Sequence, residues 1–419
     1  MGLDSQIVNM AKTARAASYK MAIVSQEAKN RALRLMAKAL IGESRYLLSE
    51  NRKDLAAAAA KKGYSKALLD RLSLNAGRIE NMAKCLLETA ALKDPVGEVL
   101  KSLKRPNGLT IKKVRTPIGV VGIIFEARPN VTSDCIGLCL KSGNAVILKG
   151  GREAIRSNTA IVKILKSVAQ KAGVPADGIQ LVSSTDHKAV DILLAQEKYI
   201  DLVIPRGGEQ LIRLVVEKSR IPVIKHYKGI CHVYVSDKAD MAMARKICFN
   251  AKVQRPGVCN AMETMLVHQN AAKRFLPMMI DDFKKAGVEI RGCPLTRRVV
   301  KGIKAANAQD WDEEYLDLIL SVKVVRDTND AIEHINAHSS HHSDAIVTKD
   351  VREADSFLKR VDSACLFVNT STRFSDGYQF GMGAEIGIST DKLHARGPMG
   401  LEELTTYKYL VYGKGQLRQ

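Results

Sequence analysis

Residues 119–148, GVVGIIFEARPNVTSDCIGLCLKSGNAVIL, decide the fold because they contain a complete strand–helix–strand repeat. The apolar run 119–125 is typical of a strand that is buried on both faces. A helix is predicted over 133–141 and ends at Gly143, and residues 145–148 form the next strand. A strand, a helix and a second short apolar strand in succession indicate a parallel sheet.

The same alternation continues along the rest of the chain. Strands are predicted at residues 179–182 and 200–204, and Ser157 is expected to cap a helix that runs to Lys171. A second series of strand–helix pairs occupies residues 231–368. We therefore predict an α/β protein with a doubly wound, Rossmann-like domain and a second α/β domain.

The first part of the chain has a different period. Apolar residues show helical spacing over about the first hundred residues, after which residues 98–104 and 109–114 alternate as strands do. Asn107-Gly108 lies between these two segments, and Asn-Gly at such a place is a strong β-hairpin signal. We expect a small antiparallel ribbon in addition to the two α/β domains.

The composition restricts the class of protein. Of the 419 residues, 46% are apolar and 26% are charged, which is ordinary for a globular chain. No apolar run approaches the ~20 residues that a membrane span needs, and the N-terminus lacks the apolar region of a signal peptide. We expect a cytoplasmic protein that makes no membrane contact.

The formal charge of +21 raises the alternative of a nucleic-acid-binding protein. The Lys and Arg residues are spread along the chain without a run of five, however, and only 5% of the residues are aromatic and able to stack on bases. We favour a solvated basic surface that attracts anionic substrates, with no nucleic-acid partner. Salt-sensitive retention on nucleic acid is the observation that would favour the alternative.

One of the eight cysteines lies in an unusual stretch. The eight form no CxxC pair, which fits reduced thiols that are mostly buried. Cys259 follows the turn-forming residues 254–257 (QRPG), where backbone N–H groups, Lys252 and Arg255 would favour its thiolate. This pattern alone leaves two alternatives open for Cys259, a nucleophile or a buried structural thiol.

Three further segments follow predicted strands of the first α/β domain, where doubly wound sheets bind their ligands. Asn130 carries an amide that can stabilise an oxyanion, although Pro-Asn is also common in ordinary turns. Lys149 is a cation at a strand end, which suits the 2′-phosphate of NADP. Gly207 and Gly208 open a helix whose N–H groups suit a pyrophosphate.

The histidine-rich segment 338–342 (HSSHH) resembles a metal site at first sight. No Cys, Asp or Glu ligand lies at a matching helical spacing, so we predict no metal. A Ser-His-Asp hydrolase is also disfavoured, because the chain contains no G-x-S-x-G element.

These segments together resemble the aldehyde dehydrogenase superfamily and, within it, the family that reduces glutamyl 5-phosphate in proline biosynthesis. The resemblance covers nearly the whole chain. It is carried by residues 114–122 (VRTPIGVVG), 125–134 (FEARPNVTSD), 200–208 (IDLVIPRGG), 228–232 (KGICH), 250–259 (NAKVQRPGVC), 342–346 (HSDAI), 368–374 (VNTSTRF) and 393–400 (LHARGPMG).

The resemblance implies roles for individual residues. Cys259 would be the catalytic thiol, and Asn130 would match the asparagine that holds the oxyanion. Lys149 would contact the adenosine ribose or its 2′-phosphate, and the Gly207-Gly208 turn would lie beside the cofactor phosphates. Glu314 would match a glutamate that holds the nicotinamide ribose.

The chain departs from hydrolytic members of the superfamily at one place. Those enzymes carry a general-base Glu in a Glu-Leu-Gly-Gly segment, and the corresponding residues 226–229 read HYKG. That base activates water to cleave a thioester, which would waste the intermediate of an acyl-phosphate reductase. The resemblance thus implies NADPH-dependent reduction of L-glutamyl 5-phosphate to L-glutamate 5-semialdehyde through a Cys259 thioester. A related acyl-phosphate or acyl-CoA reductase is the alternative.

The resemblance also implies a domain arrangement and partners. Residues 1–102 and 118–230 would form the N-terminal helices and the dinucleotide-binding domain, and residues 231–392 the catalytic domain. Residues 103–117 and 393–419 would form the oligomerisation flap and C-terminal strand of a homo-oligomer. A separate glutamate 5-kinase would supply the acyl phosphate, and direct contact between the two enzymes is a hypothesis.

Overall fold

The computed structural model describes residues 2–60 and 66–418, which divide into two compact units. The first unit comprises Met1–Lys225, Gly381–Gly387 and Met399–Gln419, and the second comprises His226–Phe380 and Ile388–Pro398. Each unit contains a parallel sheet with helices packed on it. The predicted α/β class is therefore confirmed.

The first unit has nine described helices and six strands before residue 226. Its helices are α1 (Leu3–Met21), α2 (Gln26–Gly42), α3 (Ser44–Ala59), α4 (Lys66–Leu72), α5 (Ala76–Ala91), α6 (Pro129–Lys141), α7 (Ile155–Lys171), α8 (Lys188–Leu194) and α9 (Glu209–Lys218). Its strands are β1 (Val99–Lys104), β2 (Thr110–Pro117), β3 (Val120–Phe125), β4 (Ala145–Lys149), β5 (Ile179–Leu181) and β6 (Leu202–Arg206).

Strands and helices alternate in the second unit. The strands are β7 (Cys231–Val235), β8 (Met262–His268), β9 (Glu289–Gly292), β10 (Lys304–Ala305), β11 (Ile319–Val325), β12 (Ser343–Val347) and β13 (Cys365–Val368). The helices are α10 (Met241–Val253), α11 (Gln269–Lys285), α12 (Pro294–Val299), α13 (Thr328–His338) and α14 (Val351–Arg360). The remaining strands are β14 (Gly387–Ser389), β15 (Gly397–Met399) and β16 (Thr405–Tyr412).

The central sheet of the first unit has four parallel strands in the order β5-β4-β3-β6. Every residue of β3 and β4 is buried, so helices must cover both faces of these strands. Ile7 of α1 packs with Val120 and Ile124 of β3. Gly137 of α6 allows α5 to come close, because a Cβ atom at this position would lie 2.6 Å from Leu86 Cδ2.

Helix α7 is capped by a side chain from another helix. The expectation that Ser157 caps it is wrong, because α7 begins at Ile155 and Ser157 is fully buried in its first turn. The Asp54 carboxylate of α3 accepts the backbone N–H of Arg156 at 3.2 Å and that of Ser157 at 2.8 Å, together with the Ser157 hydroxyl at 2.6 Å. Asp54 therefore satisfies N–H groups that have no partner within the helix.

The hairpin predicted at Asn107-Gly108 is confirmed. Strands β1 and β2 pair antiparallel, and the φ of +85° at Gly108 is one that glycine adopts at low cost. Strand β16 pairs with β2 along its whole length, which gives a three-stranded sheet in the order β1-β2-β16. All residues of β1 are exposed, as are most of those of β16.

The sheet of the second unit has seven parallel strands in the order β10-β9-β11-β8-β7-β12-β13. Phe275 and Phe283 of α11 belong to the larger apolar cluster on this sheet. Ile335 of α13 and Phe357 of α14 belong to a second cluster with Tyr234 of β7. The sheet is thus packed with helices on both faces. No described helix is both long enough and apolar enough to cross a bilayer.

Replacing Asp54 by Ala is expected to lower the free energy of unfolding by about 1–3 kcal/mol, because the N–H groups of Arg156 and Ser157 lose a buried acceptor. Urea unfolding monitored by circular dichroism measures this change. Glu80→Ala is the matched control, because it removes an exposed carboxylate from α5 in the same unit. An equal loss in the two variants would contradict the capping role of Asp54.

Candidate active site

Cys259 lies in a turn between α10 and β8, at the amino end of the central strands of the second unit. Helix α10 ends at Val253, and Pro256 disfavours helical backbone at the residue before it. The chain re-enters the sheet at Met262, the first residue of β8. The Cys259 side chain is half-buried, unlike Cys231, which is fully buried.

The backbone of Gly229 packs directly against the backbone of Cys259. A Cβ atom at position 229 would lie 1.9 Å from the Cys259 carbonyl oxygen and 2.5 Å from its Cα, so no side chain fits there. The Gly229 N–H donates to Glu314 Oε1 at 2.8 Å. Glu314, which the family resemblance would assign to the nicotinamide ribose, thus holds the segment that contacts the thiol residue.

Cys231 is a second thiol beside the first, with a different environment. Its Sγ donates to the Cys259 carbonyl oxygen at 3.2 Å. Burial raises the pKa of the Cys231 thiol well above its ordinary value, so the proton stays on sulfur. Cys231 therefore anchors the Cys259 backbone, and Cys259 is the more accessible of the two thiols.

His342 lies behind Cys231 at the amino end of β12. Its Nδ1 is 2.9 Å from Ser343 Oγ and 3.8 Å from Cys231 Sγ, and its ring meets that of His226 edge-on at 5.7 Å. Burial and, to a smaller extent, the charge of the neighbouring His226 lower the pKa of His342 to about 3. His342 is therefore neutral at neutral pH and supplies no positive charge to a thiolate.

Lys252 does not serve the thiol as expected. Its Nζ lies 2.5 Å from Glu263 Oε2, and both side chains are completely buried. Glu263 also accepts the N–H of Leu316 at 3.2 Å, which ties the segment after Glu314 to β8. Burial raises the pKa of Glu263 and lowers that of Lys252, while each partner opposes the shift in the other. The expectation that Lys252 stabilises the Cys259 thiolate is replaced by this buried pair.

Three of the four predicted cofactor residues, Lys149, Gly207 and Gly208, lie at the carboxyl edge of the first unit's sheet, whereas Glu314 belongs to the second unit. Lys149 ends β4, where its neighbour in register is Ile124 of β3. The Lys149 side chain is largely buried, its Nζ donates to the Gly150 carbonyl at 3.0 Å, and burial lowers its pKa. Gly207 and Gly208 follow β6 and precede α9. The sheet thus brings Lys149 and the glycine pair to the ends of strands on either side of β3.

Glu126 occupies the N-terminus of α9. The N–H of Gly208 donates to Glu126 Oε1 at 3.0 Å, and a Cβ atom at Gly207 would lie 2.7 Å from the same carboxylate. An acidic side chain is favoured at this position by the N–H groups of the first helical turn. The Gly208 N–H therefore already binds an anionic group.

Asn130 lies in the first turn of α6, in the first unit, and its side chain is exposed. Its Nδ2 donates to Asp134 Oδ2, one helical turn later, at 3.2 Å. Burial raises the pKa of Asp134 to about 6, whereas its hydrogen bonds oppose the shift. The amide has two N–H groups, so one remains in addition to the bond that orients it.

The histidines of segment 338–342 take separate partners. His338 Nδ1 lies 2.8 Å from Asp312 Oδ1, and His341 Nδ1 lies 2.6 Å from the Asp362 carbonyl. His342 belongs to the thiol site described above. Within residues 2–60 and 66–418, no group of three or more His, Cys, Asp or Glu side chains is arranged to hold a metal ion.

The sequence analysis did not identify four residues that contribute to these sites: Gly229, Cys231, Glu126 and Asp134. Gly229 and Cys231 were visible within the family motif KGICH, but their contact with Cys259 depends on the pairing of β7 with β8. Asp134 was detectable, since it lies four residues after Asn130 on a predicted helix. Glu126 gave no local signal, because its partner is 82 residues away.

Comparison with known proteins agrees with this fold. The model of the aldehyde dehydrogenase family matches residues 2–302 and 299–409, which is nearly all of the chain. The chain therefore belongs to the aldehyde dehydrogenase family, whose members are oxidoreductases that use a nicotinamide cofactor. Its full-length relatives place it, within that family, among the γ-glutamyl phosphate reductases.

Those relatives are similar over their whole length. The γ-glutamyl phosphate reductase of Thermodesulfovibrio yellowstonii is 55% identical and that of Geobacter metallireducens 54% identical, each with complete coverage of both chains. The crystal structure of the γ-glutamyl phosphate reductase of Thermotoga maritima is 44% identical and superimposes with a TM-score of 0.97, covering 99% of this chain and 100% of that one. An acetylating aldehyde dehydrogenase of Geobacillus thermoglucosidasius shares the fold, with a TM-score of 0.68 and 15% identity over 100% and 99% of the chains.

Gly229→Ala is expected to lower the free energy of unfolding by about 1–3 kcal/mol, because the new methyl group must displace the Cys259 backbone. Gly257→Ala is the matched control in the same site, since its Cβ atom would lie 3.5 Å from the nearest atom, the Leu316 carbonyl oxygen. Urea unfolding of both variants measures the difference. A Gly229→Ala variant as stable as Gly257→Ala would contradict the close backbone contact.

His342 makes stability depend on pH. Its folded pKa of about 3 lies below the ordinary 6.5, so the unfolded chain takes up a proton that the folded protein excludes as the pH falls. The contribution of neutral His342 to the free energy of unfolding is complete well above pH 6.5. Between pH 7 and pH 5, this group alone lowers the free energy of unfolding by about 2 kcal/mol. His342→Asn is expected to remove that part of the loss in urea unfolding at the two pH values. His187→Asn, at an exposed position, should leave the loss unchanged, and equal slopes in both variants would contradict the assignment.

Proposed function

We propose that this chain catalyses the NADPH-dependent reduction of L-glutamyl 5-phosphate to L-glutamate 5-semialdehyde and phosphate, the second step of proline biosynthesis from glutamate. The observation that carries the proposal is the contact between Cys259 and residues 226–229 (HYKG). This segment lies against the thiol residue through Gly229 and contains no carboxylate to activate water. The named relatives support the substrate.

Cys259 performs the covalent step. Its thiolate attacks the δ-carbonyl carbon of glutamyl 5-phosphate, the C–O bond to phosphate breaks, and a thioester remains on Cys259. We assign Asn130 to the oxyanion that forms during attack, through the amide N–H that Asp134 does not use. The Cys231 bond to the Cys259 carbonyl and the Gly229 contact keep the thiol residue in place throughout.

A nicotinamide dinucleotide fits the donors of the first unit. The Gly208 N–H already binds the Glu126 carboxylate, so a pyrophosphate would suit this donor and the first N–H groups of α9 once Glu126, an exposed side chain, moves away. Lys149 would contact the adenosine ribose or its 2′-phosphate, which favours NADPH. Glu314 would hold the nicotinamide ribose. Bound NADPH would supply the hydride that reduces the thioester to the aldehyde.

The three-stranded sheet β1-β2-β16 supports a homo-oligomer as the working form. Both outer strands have exposed backbone edges, and β16 exposes Tyr407, Tyr409, Val411 and Tyr412. An exposed apolar strand edge is a surface that a second chain can cover. Contact with a separate glutamate 5-kinase remains a hypothesis, and a pull-down at physiological salt without association would count against it.

The proposal is tested most directly in the reverse direction. Wild-type protein is supplied with pyrroline-5-carboxylate, phosphate and NADP⁺, and the absorbance of NADPH is followed. Turnover that requires phosphate is expected, and Cys259→Ser should reduce it by a factor of about 10³ or more because the nucleophile is lost. Cys231→Ser is the control, since its hydroxyl can still donate to the Cys259 carbonyl.

Other outcomes identify which part of the proposal fails. Turnover of another aldehyde without phosphate dependence would place the chain in a different branch of aldehyde dehydrogenase chemistry. Full activity of Cys259→Ser would exclude the thioester mechanism. Equal rates with NADH and NADPH in the forward direction would refute the role given to Lys149.

A further inference from the structure

Two arginines in or near the turn that carries Cys259 (residues 254–261, called the thiol turn below) have no role in the mechanism above. Arg255 lies within the turn itself, four residues before Cys259. Arg373 lies in the 3₁₀ turn Thr372–Phe374, which follows β13 in the second unit. Their positions and their partners indicate a binding site for an anion.

Arg373 is fixed by bonds to the residue that follows the nucleophile. Thr372 Oγ1 donates to the Asn260 carbonyl at 2.8 Å, and Asn260 Nδ2 donates to the Ser375 carbonyl at 2.9 Å. Bonds on both sides of Arg373 thus join its turn to Asn260. Thr372, Asn260 and Ser375 are all buried.

Gln254 fixes the guanidinium of Arg373 from the other end of the thiol turn. Arg373 Nε donates to Gln254 Oε1 at 2.9 Å. This bond uses one of five N–H groups, and the other four are on the terminal nitrogens. The side chain is therefore oriented while most of its donors stay available for a ligand.

The charges around Arg373 favour an anion. Burial lowers the pKa of its guanidinium, and the charge of Arg255 lowers it further, whereas the Cys259 thiolate acts in the opposite sense. Neither arginine forms an ion pair with a carboxylate in the described part of the chain. Asp376 acts on Arg373 in the same sense as the thiolate, although it forms no ion pair with it. The repulsion between the two arginines is thus not offset by a paired carboxylate, and a bound dianion reduces it.

We propose that Arg373, assisted by Arg255, binds the phosphate group of the acyl-phosphate substrate and the free phosphate of the reverse reaction. This assignment rests on the proposed function and names the specificity-determining residue of that site. The phosphate oxygen is bonded to the carbon that Cys259 attacks. The α-carboxylate, the other anionic group of the substrate, is separated from that carbon by three carbons, so an arginine held against Asn260 suits the phosphate.

Arg373 would act on the step in which phosphate leaves. As the C–O bond breaks, the bridging electron pair passes to the phosphate oxygen, and a guanidinium stabilises the charge that develops there. The same contact would favour an acyl phosphate over a thioester substrate, because a thioester has no phosphate at the reacting carbon.

Steady-state kinetics of the reverse reaction test the assignment. The KM for phosphate and the KM for pyrroline-5-carboxylate are measured for wild type, Arg373→Gln, Arg373→Lys and Arg255→Gln. Loss of a charge-assisted contact in Arg373→Gln is expected to raise the KM for phosphate at least about tenfold and to leave the KM for the aldehyde within about twofold. Arg373→Lys should recover part of the loss, and Arg255→Gln should show a smaller effect of the same kind.

Arg352→Gln is the matched control, because it removes an exposed charge from α14 of the same unit. Thermal unfolding shows whether each variant is folded. If Arg373→Gln is not folded, the KM values of Arg373→Lys and Arg255→Gln test the assignment instead. A rise in the KM for the aldehyde with an unchanged KM for phosphate would assign the site to the α-carboxylate and overturn the proposal, as would no change in either constant. If the reverse reaction of the wild-type protein does not depend on phosphate, the proposed function is refuted, and the assignment of Arg373 is refuted with it.

Discussion

The contact of one backbone with another, Gly229 against Cys259, is the constraint on which the thiol site depends. Because no side chain fits at position 229, the two segments approach as closely as strands β7 and β8 allow. Glu314 holds one side of the contact through the Gly229 N–H, and Cys231 holds the other through the Cys259 carbonyl. Cys259, the proposed nucleophile, is therefore positioned by fixed main-chain groups, which would need little reorganisation during reaction.

A layer of buried polar groups supports this contact without placing charge on the thiol. Lys252 and Glu263 neutralise each other out of solvent, and Glu263 secures Leu316, two residues after Glu314. His342 stays neutral because it is buried beside another imidazole. A buried pair of this kind costs desolvation energy, so its value lies in fixing one arrangement of the chain more than in stability. The positive charge near Cys259 comes from Arg255 in the thiol turn and from Arg373 in the 3₁₀ turn after β13.

The periodicity of apolar residues predicted the helices and strands well, but it could not predict which side chains pair over long distances in the sequence. The strand predicted at residues 145–148 lies within β4, and the helix predicted over residues 133–141 ends at Lys141, shortly before Gly143 with its positive φ. Lys149 and Gly207 lie at the carboxyl ends of their strands, where the rule for ligand binding in such sheets places candidates, whereas the residues around Cys259 lie at amino ends of strands in the second unit. Spacing along the chain cannot reveal Asp54 as the cap of α7 or Glu263 as the partner of Lys252, because those bonds depend on packing.

The surroundings of His226 bear on how readily such a protein can be converted into a hydrolase. By the family resemblance, position 226 corresponds to the general-base glutamate of hydrolytic enzymes, and here the Nδ1–H of His226 donates a hydrogen bond to the Ile388 carbonyl at 2.8 Å. A glutamate introduced at this position would direct a carboxylate at a carbonyl oxygen, which offers no proton and repels the charge. A single exchange at position 226 is therefore a poor route to a water-activating site, and engineering a hydrolase from this scaffold requires rebuilding the segment around Ile388 as well.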